Sequence, residues 1–312
     1  MFKCKKLMKI FFLTLFSLLF FVPMTAFAGK VPLADPFIML YEGTYYAYGT
    51  HSEDGIEVYV SDDLKTWRYQ GLALNRKDSY GERWFWAPEV YEVNGIFYMY
   101  YTANEHICVA TSNQPTGPFV QKDKQPMIAD EKCIDNSLFI DDDGTPYLLF
   151  DRMNDGLNIW IAQLEKDLIH IKKETMHPCI HVSQSWENVW PRVNEGGFLM
   201  KHKGLYYLTY SANSYESPFY GIGCAVSEKL TGPWEKYVEN PLLQKPGDLV
   251  GVGHSAMFTD KEGKLRIVFH AHKDENNIHP REMYISEVYF EKENGIDRMR
   301  ISREYIIPQL VE

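Results

Sequence analysis

The sequence predicts an all-β fold, a five-bladed β-propeller in a single domain, from three observations. Tyrosine, phenylalanine and tryptophan make up 15% of the chain and fall in short runs bounded by turn residues, which is the pattern of strands. One hairpin phrase recurs five times. Its copies stand about 45 to 60 residues apart, the length of a four-stranded blade.

The first copy runs from Pro36 to Leu40, turns at Glu42-Gly43 and continues as Thr44 to Tyr48. The second is Glu89 to Tyr91, turning at Asn94-Gly95 into Ile96 to Tyr101. Ser137 to Ile140, turning at Asp143-Gly144 into Thr145 to Phe150, is the third. Gly197 to Met200 turns at Lys203-Gly204 into Leu205 to Tyr210, and Ser255 to Phe258 turns at Glu262-Gly263 into Lys264 to Phe269. Asn-Gly and Asp-Gly between apolar runs are strong hairpin signals, because both turn residues accept positive φ. Blades close with phrases such as Thr116-Gly117-Pro118-Phe119 and Thr231-Gly232-Pro233-Trp234, which read as a turn and an aromatic plug. A β-sandwich also holds many short strands, but it gives no reason for five similar phrases.

Residues 1–28 carry Lys3, Lys5, Lys6 and Lys9, an apolar run from Ile10 to Val22, and the small-residue site Ala26-Phe27-Ala28. That order is a secretory signal peptide, which leaves 29–312 as the propeller and predicts a secreted or periplasmic protein. The apolar run is shorter than the roughly 20 residues of a membrane span. Removing the leader takes away four lysines and no acid, so the net charge moves from −10 to −14. Nucleic acid and anionic membranes are poor partners for such a surface. Cys108, Cys133, Cys179 and Cys224 show no close pair and no His/Cys metal spacing, so export permits disulfides while four free thiols fit equally well.

The first strand of a propeller blade lines the central channel, so the residues that open each repeat converge. Those residues are Asp35, Glu89, Asp135, Glu195 and His254. A ring of facing acids repels itself and costs free energy when buried, so structure alone does not explain it. Convergent carboxyls of unequal pKa suit general acid and base work on a sugar acetal. Glu89 reads as structural, because Pro88 and the following hairpin account for its position.

Ala34-Asp35-Pro36-Phe37, Trp86-Ala87-Pro88-Glu89, Ile134-Asp135-Asn136-Ser137, Asn194-Glu195-Gly196-Gly197-Phe198 and Gly253-His254-Ser255 occur in order along the chain. Together they resemble the blade-opening motifs of glycoside hydrolase family 43. The resemblance implies an inverting hydrolase acting on α-L-arabinofuranosyl or β-D-xylosyl linkages of plant cell-wall polysaccharide or oligosaccharide, at chain ends. Endo-α-1,5-L-arabinanase and exo-galactanase are the alternatives. It implies Asp35 as general base, Glu195 as general acid and Asp135 as the third carboxylate, which raises the pKa of the acid by like-charge proximity. Gly196-Gly197 departs from the family pattern, where proline often follows the acid, and this bears on the loop geometry. Arg281 resembles the arginine that hydrogen-bonds the innermost sugar. His254 resembles an axial histidine that in many members sits near calcium or another cation, while the chemistry itself needs no cofactor. A propeller that only binds sugar would lack one of the three carboxylates, and all three are present.

Aromatic side chains that precede blade openings can stack on sugar faces. Trp86, with Trp84 behind it, and Trp186 are the candidates, and Trp190 is expected to pack between blades. A monomer is expected.

Overall fold

In a computed structural model the described residues are 27–311, so all but the last two residues of the expected signal peptide lie outside them. Five antiparallel sheets follow one another along the chain. Blade 1 comprises Ala34–Tyr41, Thr44–Thr50, Gly55–Ser61 and Thr66–Asn75, and blade 2 has three strands, Trp86–Val93, Ile96–Ala103 and His106–Ser112. Blade 3 comprises Cys133–Ile140, Pro146–Met153, Leu157–Gln163 and His177–Ile180. Blade 4 comprises Asn194–His202, Leu205–Ala212, Gly221–Ser227 and the short Glu235–Lys236. Blade 5 comprises Gly253–Thr259, Leu265–Ala271, Glu282–Glu293 and Ile296–Ile306. The first strand of every blade touches the first strands of both neighbours, and that of blade 5 touches that of blade 1, which closes the five-bladed propeller. The expected fold is therefore observed.

The hairpin turns form where the sequence places them. Glu42-Gly43, Asn94-Gly95 and Lys203-Gly204 all have positive φ at both positions, so each joins its strands through two residues. Blades 3 and 5 use a longer turn, in which Asp141 N–H donates to Thr145 C=O and Asp260 N–H to Lys264 C=O.

The aromatic excess goes into contacts between blades. Phe37 meets Tyr91 across blades 1 and 2, Phe139 meets Tyr206 across blades 3 and 4, and Tyr45 meets Phe258 across blades 5 and 1, with centroids 5.2, 6.1 and 6.1 Å apart. The buried rings among them, Phe37, Tyr45, Tyr206 and Phe258, each contribute about 1.5–3 kcal/mol through burial alone. Cys108, Cys133, Cys179 and Cys224 are free thiols, so the reading without disulfides is the one observed.

The ring is tied by its termini. Gln309–Val311 adds to the outer strand of blade 1 in parallel, pairing Leu310 with Trp67, and Phe27–Lys30 pairs with Gln309–Val311 in turn.

One irregularity repeats in every blade and shapes the channel. Each first strand slips register after its opening residue, across Ala34/Phe37, Trp86/Glu89, Ile134/Ser137, Glu195/Phe198 and Gly253/Ala256. Within each bulge one residue turns to positive φ: Asp35 at 48°, Ala87 at 44°, Asp135 at 57°, Gly196 at 59° and His254 at 46°. The N–H that each bulge frees from the ladder is caught by the second strand of the preceding blade. Ala87 donates to Thr50 Oγ1 (2.9 Å), Asp135 to Thr102 Oγ1 (3.1 Å) and Gly196 to Asp151 Oδ2 (2.9 Å). His254 donates to Ser211 Oγ (2.7 Å) and Asp35 to His270 Nδ1 (3.0 Å), so the five latches make a closed circle. Bulges of this kind re-aim side chains. Here they turn those of Asp35, Asp135 and His254 toward the axis.

Candidate active site

At the end of the channel where the first strands begin, a cavity of about 510 Å³ opens, within the size range of small-ligand sites. Asp35, Asp135, Glu195, His254, Arg281 and Trp86 all line it. Residues up to 246 positions apart are thus brought around one space.

Register refines the ring read from the sequence. The position equivalent to Asp35, Asp135 and His254 is Ala87 in blade 2 and Gly196 in blade 4. Glu89 lies two residues past the bulge and does not line the cavity; it takes a hydrogen bond from the Tyr91 hydroxyl. Burial raises the Glu89 carboxyl to about 8 against the pull of Tyr91 and Ser137. Glu195 stands one residue before the bulge, so Gly196 takes the left-handed conformation and the catch from Asp151. Two glycines suit this place, since a Cβ on Gly196 would come within 3.1 Å of the His254 ring.

The three carboxyls occupy different electrostatic settings. Burial alone would raise Asp35, but the Arg281 guanidinium, then His254 and His270, outweigh it and hold it well below the usual carboxylate range. Arg281 Nη1 donates to Asp35 Oδ1 at 2.9 Å and Nη2 to Oδ2 at 3.4 Å. Glu195 is raised to about 7 by burial and the charge of Asp35, against the Tyr220 hydroxyl, which donates to Oε1 at 2.6 Å, and against Arg281. Asp135 is pushed well up by burial, then by Glu195 and Asp35. One ionised carboxyl and one that keeps its proton near neutrality therefore face the same cavity. That pairing is what general base and general acid require.

Both axial imidazoles are pushed toward the neutral form. Burial, then Arg281, lowers His270 to about 3, and burial lowers His254 despite the nearby Asp35 charge. His254 Nδ1 stands 3.5 Å from Asp35 Oδ1 and 3.9 Å from Asp135 Oδ2. Calcium takes six to eight oxygen ligands. Among the described residues no group of three or more His, Cys, Asp or Glu side chains is placed to hold a metal, so the surroundings of His254 do not form a direct calcium cage.

The tryptophans separate. Trp86 is on the cavity wall, and Trp84 stacks behind it, 5.7 Å away at 19° and 39% exposed, without reaching the wall. Trp186 packs against Tyr210 at 6.1 Å and donates its indole N–H to Gln184 Oε1 at 2.8 Å, off the cavity wall. Trp190, expected between blades, is 86% exposed on the loop before Glu195. Glu187, three residues earlier, is anchored by a buried ion pair with Lys236 at 2.7 Å, while the Trp190 indole stands in solvent.

Sequence reasoning passed over Asp151, Tyr215, Tyr220 and His270. Tyr215 lines the cavity with its ring 4.6 Å from the Arg281 guanidinium. Asp151 and His270 were open to discovery, because they follow the aromatic end of the second strand in blades 3 and 5, as Thr102 and Ser211 do in blades 2 and 4. Tyr215 and Tyr220 lie in an irregular loop with no counterpart in the other copies.

The family model described as Glycosyl hydrolases family 43 matches residues 29–296. The crystal structure of an endo-1,4-beta-xylanase from Bacteroides thetaiotaomicron is 48% identical, with a TM-score of 0.87 over 92% of this chain and 100% of that one. A beta-D-galactofuranosidase of Aspergillus niger is 25% identical over 87% of this chain and 83% of its own length. An extracellular exo-alpha-(1->5)-L-arabinofuranosidase of Cellvibrio japonicus is 24% identical over 80% and 82% respectively.

Proposed function

The chain belongs to glycoside hydrolase family 43, and from that premise we propose that it releases α-L-arabinofuranosyl or β-D-xylosyl units from the ends of plant cell-wall oligosaccharides or polysaccharides, with inversion. The observation that carries the reading is one cavity lined by Asp35 paired with the Arg281 guanidinium, which favours its ionised form, and by Glu195 paired with the neutral Tyr220 hydroxyl.

Water held by Asp35 attacks the anomeric carbon and gives its proton to that carboxylate, while Glu195 gives its proton to the departing glycosidic oxygen. The carbon–oxygen bond to the leaving sugar breaks as the bond to water forms. Proton exchange with solvent then restores both carboxyls. Like charge on Asp135 and Glu195 opposes ionisation of both together, and Arg281 holds Asp35 in place and reaches the innermost sugar. Trp86 offers that sugar an apolar face. No step runs through a metal. Secretion is supported by the leader in residues 1–28 and by the extracellular relative. A monomer suffices, since one chain supplies every cavity residue named. Among the described residues no helix is long and apolar enough to cross a membrane.

The test is a panel of nitrophenyl α-L-arabinofuranoside, β-D-xyloside and β-D-galactofuranoside beside linear arabinan and xylan. Release of single pentoses is expected, and the first product seen by proton NMR has the inverted anomeric configuration. Glu195→Gln is expected to lose about 10²–10⁴-fold on polysaccharide. Its loss on nitrophenyl substrates is smaller, because that leaving group needs little protonation. Full activity of the variant on polysaccharide, or a retained anomer, overturns the reading. The 48% identical endo-xylanase favours endo action on xylan as the second reading, and mixed oligomers from xylan would select it.

A further inference from the structure

Four of the five bulge latches use a neutral side chain: Thr50, Thr102, Ser211 and the neutral His270. Blade 3 uses a carboxyl, Asp151. A hydroxyl holds the same N–H in three other blades, so the latch alone does not call for an acid. Asp151 is 0% exposed. Its Oδ2 accepts from Gly196 N–H, and its Oδ1 is buried without a partner while the group is ionised. The titratable groups that face it are Asp135 within hydrogen-bonding reach, Glu195 beyond it and Cys133 at the start of the same blade. No cation pairs with Asp151 among the described residues. A buried carboxylate facing two other acids with one oxygen unpartnered is costly. Protonated, the same group satisfies every neighbour: the oxygen that accepts from Gly196 stays an acceptor, and Oδ1 carries a hydrogen toward Asp135.

We propose that Asp151 is a fourth carboxyl of the site, a neutral acid that holds Gly196 N–H with one oxygen and turns its O–H toward the Asp135 carboxyl beside Glu195, and so a positioning residue for the general acid. The proposal rests on the hydrolase reading of Asp35, Asp135 and Glu195. Burial and then the Asp135 charge raise Asp151 well above the carboxylate range, while the hydrogen bond from Asp151 is among the influences that pull Asp135 back down. Without that donor Asp135 takes up a proton at lower acidity.

Two substitutions separate the roles. Asp151→Asn keeps an acceptor for Gly196 and a donor for Asp135 and carries no charge. Asp151→Thr reproduces the latch that Thr50 and Thr102 make, and spends its hydroxyl there. Asp151→Asn is expected to stay within about threefold of the parent kcat with the basic limb of the pH profile unmoved, whereas Asp151→Thr loses about tenfold or more in kcat at similar KM. The infrared difference spectrum of parent minus Asp151→Asn at neutral pH is expected to show the carbonyl stretch of a neutral carboxylic acid. Parent-like kcat and pH profile in Asp151→Thr would reduce Asp151 to a latch. A shifted basic limb in Asp151→Asn, or a carboxylate band in the difference spectrum, would show that it works as an anion; either result overturns the proposal. The infrared band decides the protonation even if Asp151→Thr fails to fold. Glu195→Gln, run alongside, reports separately on the hydrolase reading.

Discussion

Asp35 and Arg281 lie 246 positions apart in the chain and 2.9 Å apart in space, and that contact decides which acid of the site is charged. Arg281 lowers both Asp35 and Glu195, so its removal acts on both limbs of the pH profile in one direction. In Arg281→Met, burial of Asp35 is no longer offset by the guanidinium, so the base requires a higher pH to ionise. Glu195 likewise holds its proton to a pH above its present value of about 7. The bell of kcat/KM against pH is expected to move as a whole to higher pH by about 1–2 units, with KM raised by the lost sugar contact. An acid limb that stays in place would mean that Asp35 is not the base. The three acids were legible in the sequence because each sits beside a repeated hairpin phrase. Tyr220 was not, since its value to the site is a hydroxyl 2.6 Å from Glu195, delivered by a loop unique to blade 4. Trp186 was misplaced for a related reason: proximity to Glu195 in sequence says nothing about which side of the loop its indole takes.

At the scale of the strand, the bulge is the device that converts a repeated hairpin into a site. It frees one N–H in each blade and turns the side chains of Asp35, Asp135 and His254 inward, and the next blade's orientation depends on that N–H being caught. Gly196 is the position where this device is tightest, with φ 59° and a virtual Cβ 3.1 Å from His254. Gly196→Ala is expected to cost about 1–2 kcal/mol from the left-handed backbone, and to push the His254 ring toward Asp35. Calorimetry should show Tm lower by a few degrees, about 2–4 °C per kcal/mol, together with a fall in kcat. Unchanged Tm and kcat would mean that the imidazole and the strand give way without consequence. The hairpins and their number could be read from Gly-containing turns, whose φ demands are local. The bulges could not, because a residue such as Asp35 or Ala87 takes positive φ only when a neighbouring blade holds it there. The ring read by opening residue consequently set Glu89 and Glu195 level with Asp35, and register moved both.

For the whole molecule the question is how five sheets are kept from opening like a fan. Beyond the bonds of Asp35 to His270 and Arg281, two further contacts span the seam between blades 5 and 1. One is packing, Tyr45 against Phe258, reinforced by Lys261 N–H donating to the Tyr45 hydroxyl at 2.9 Å. The other is the strand Gln309–Val311, which the sequence did not announce, because three residues without a turn or an aromatic carry no periodic signal. It pairs with Thr66 to Arg68 and also carries Phe27–Lys30, so deleting residues 309–312 removes two edge strands from blade 1 together. Burial of Val311 and partial burial of Leu310 contribute about 2–4 kcal/mol. That is a large part of the 5–15 kcal/mol by which folded proteins are stable. The deletion is therefore expected to lower Tm by about 5–15 °C, at the per-kcal/mol scale above, and to broaden the transition as blade 1 separates from the rest. Activity should fall with it, since Asp35 belongs to blade 1 and its partners His270 and Arg281 to blade 5. A variant that keeps Tm within a few degrees would assign closure of the ring to the aromatic seam instead of the terminal strand.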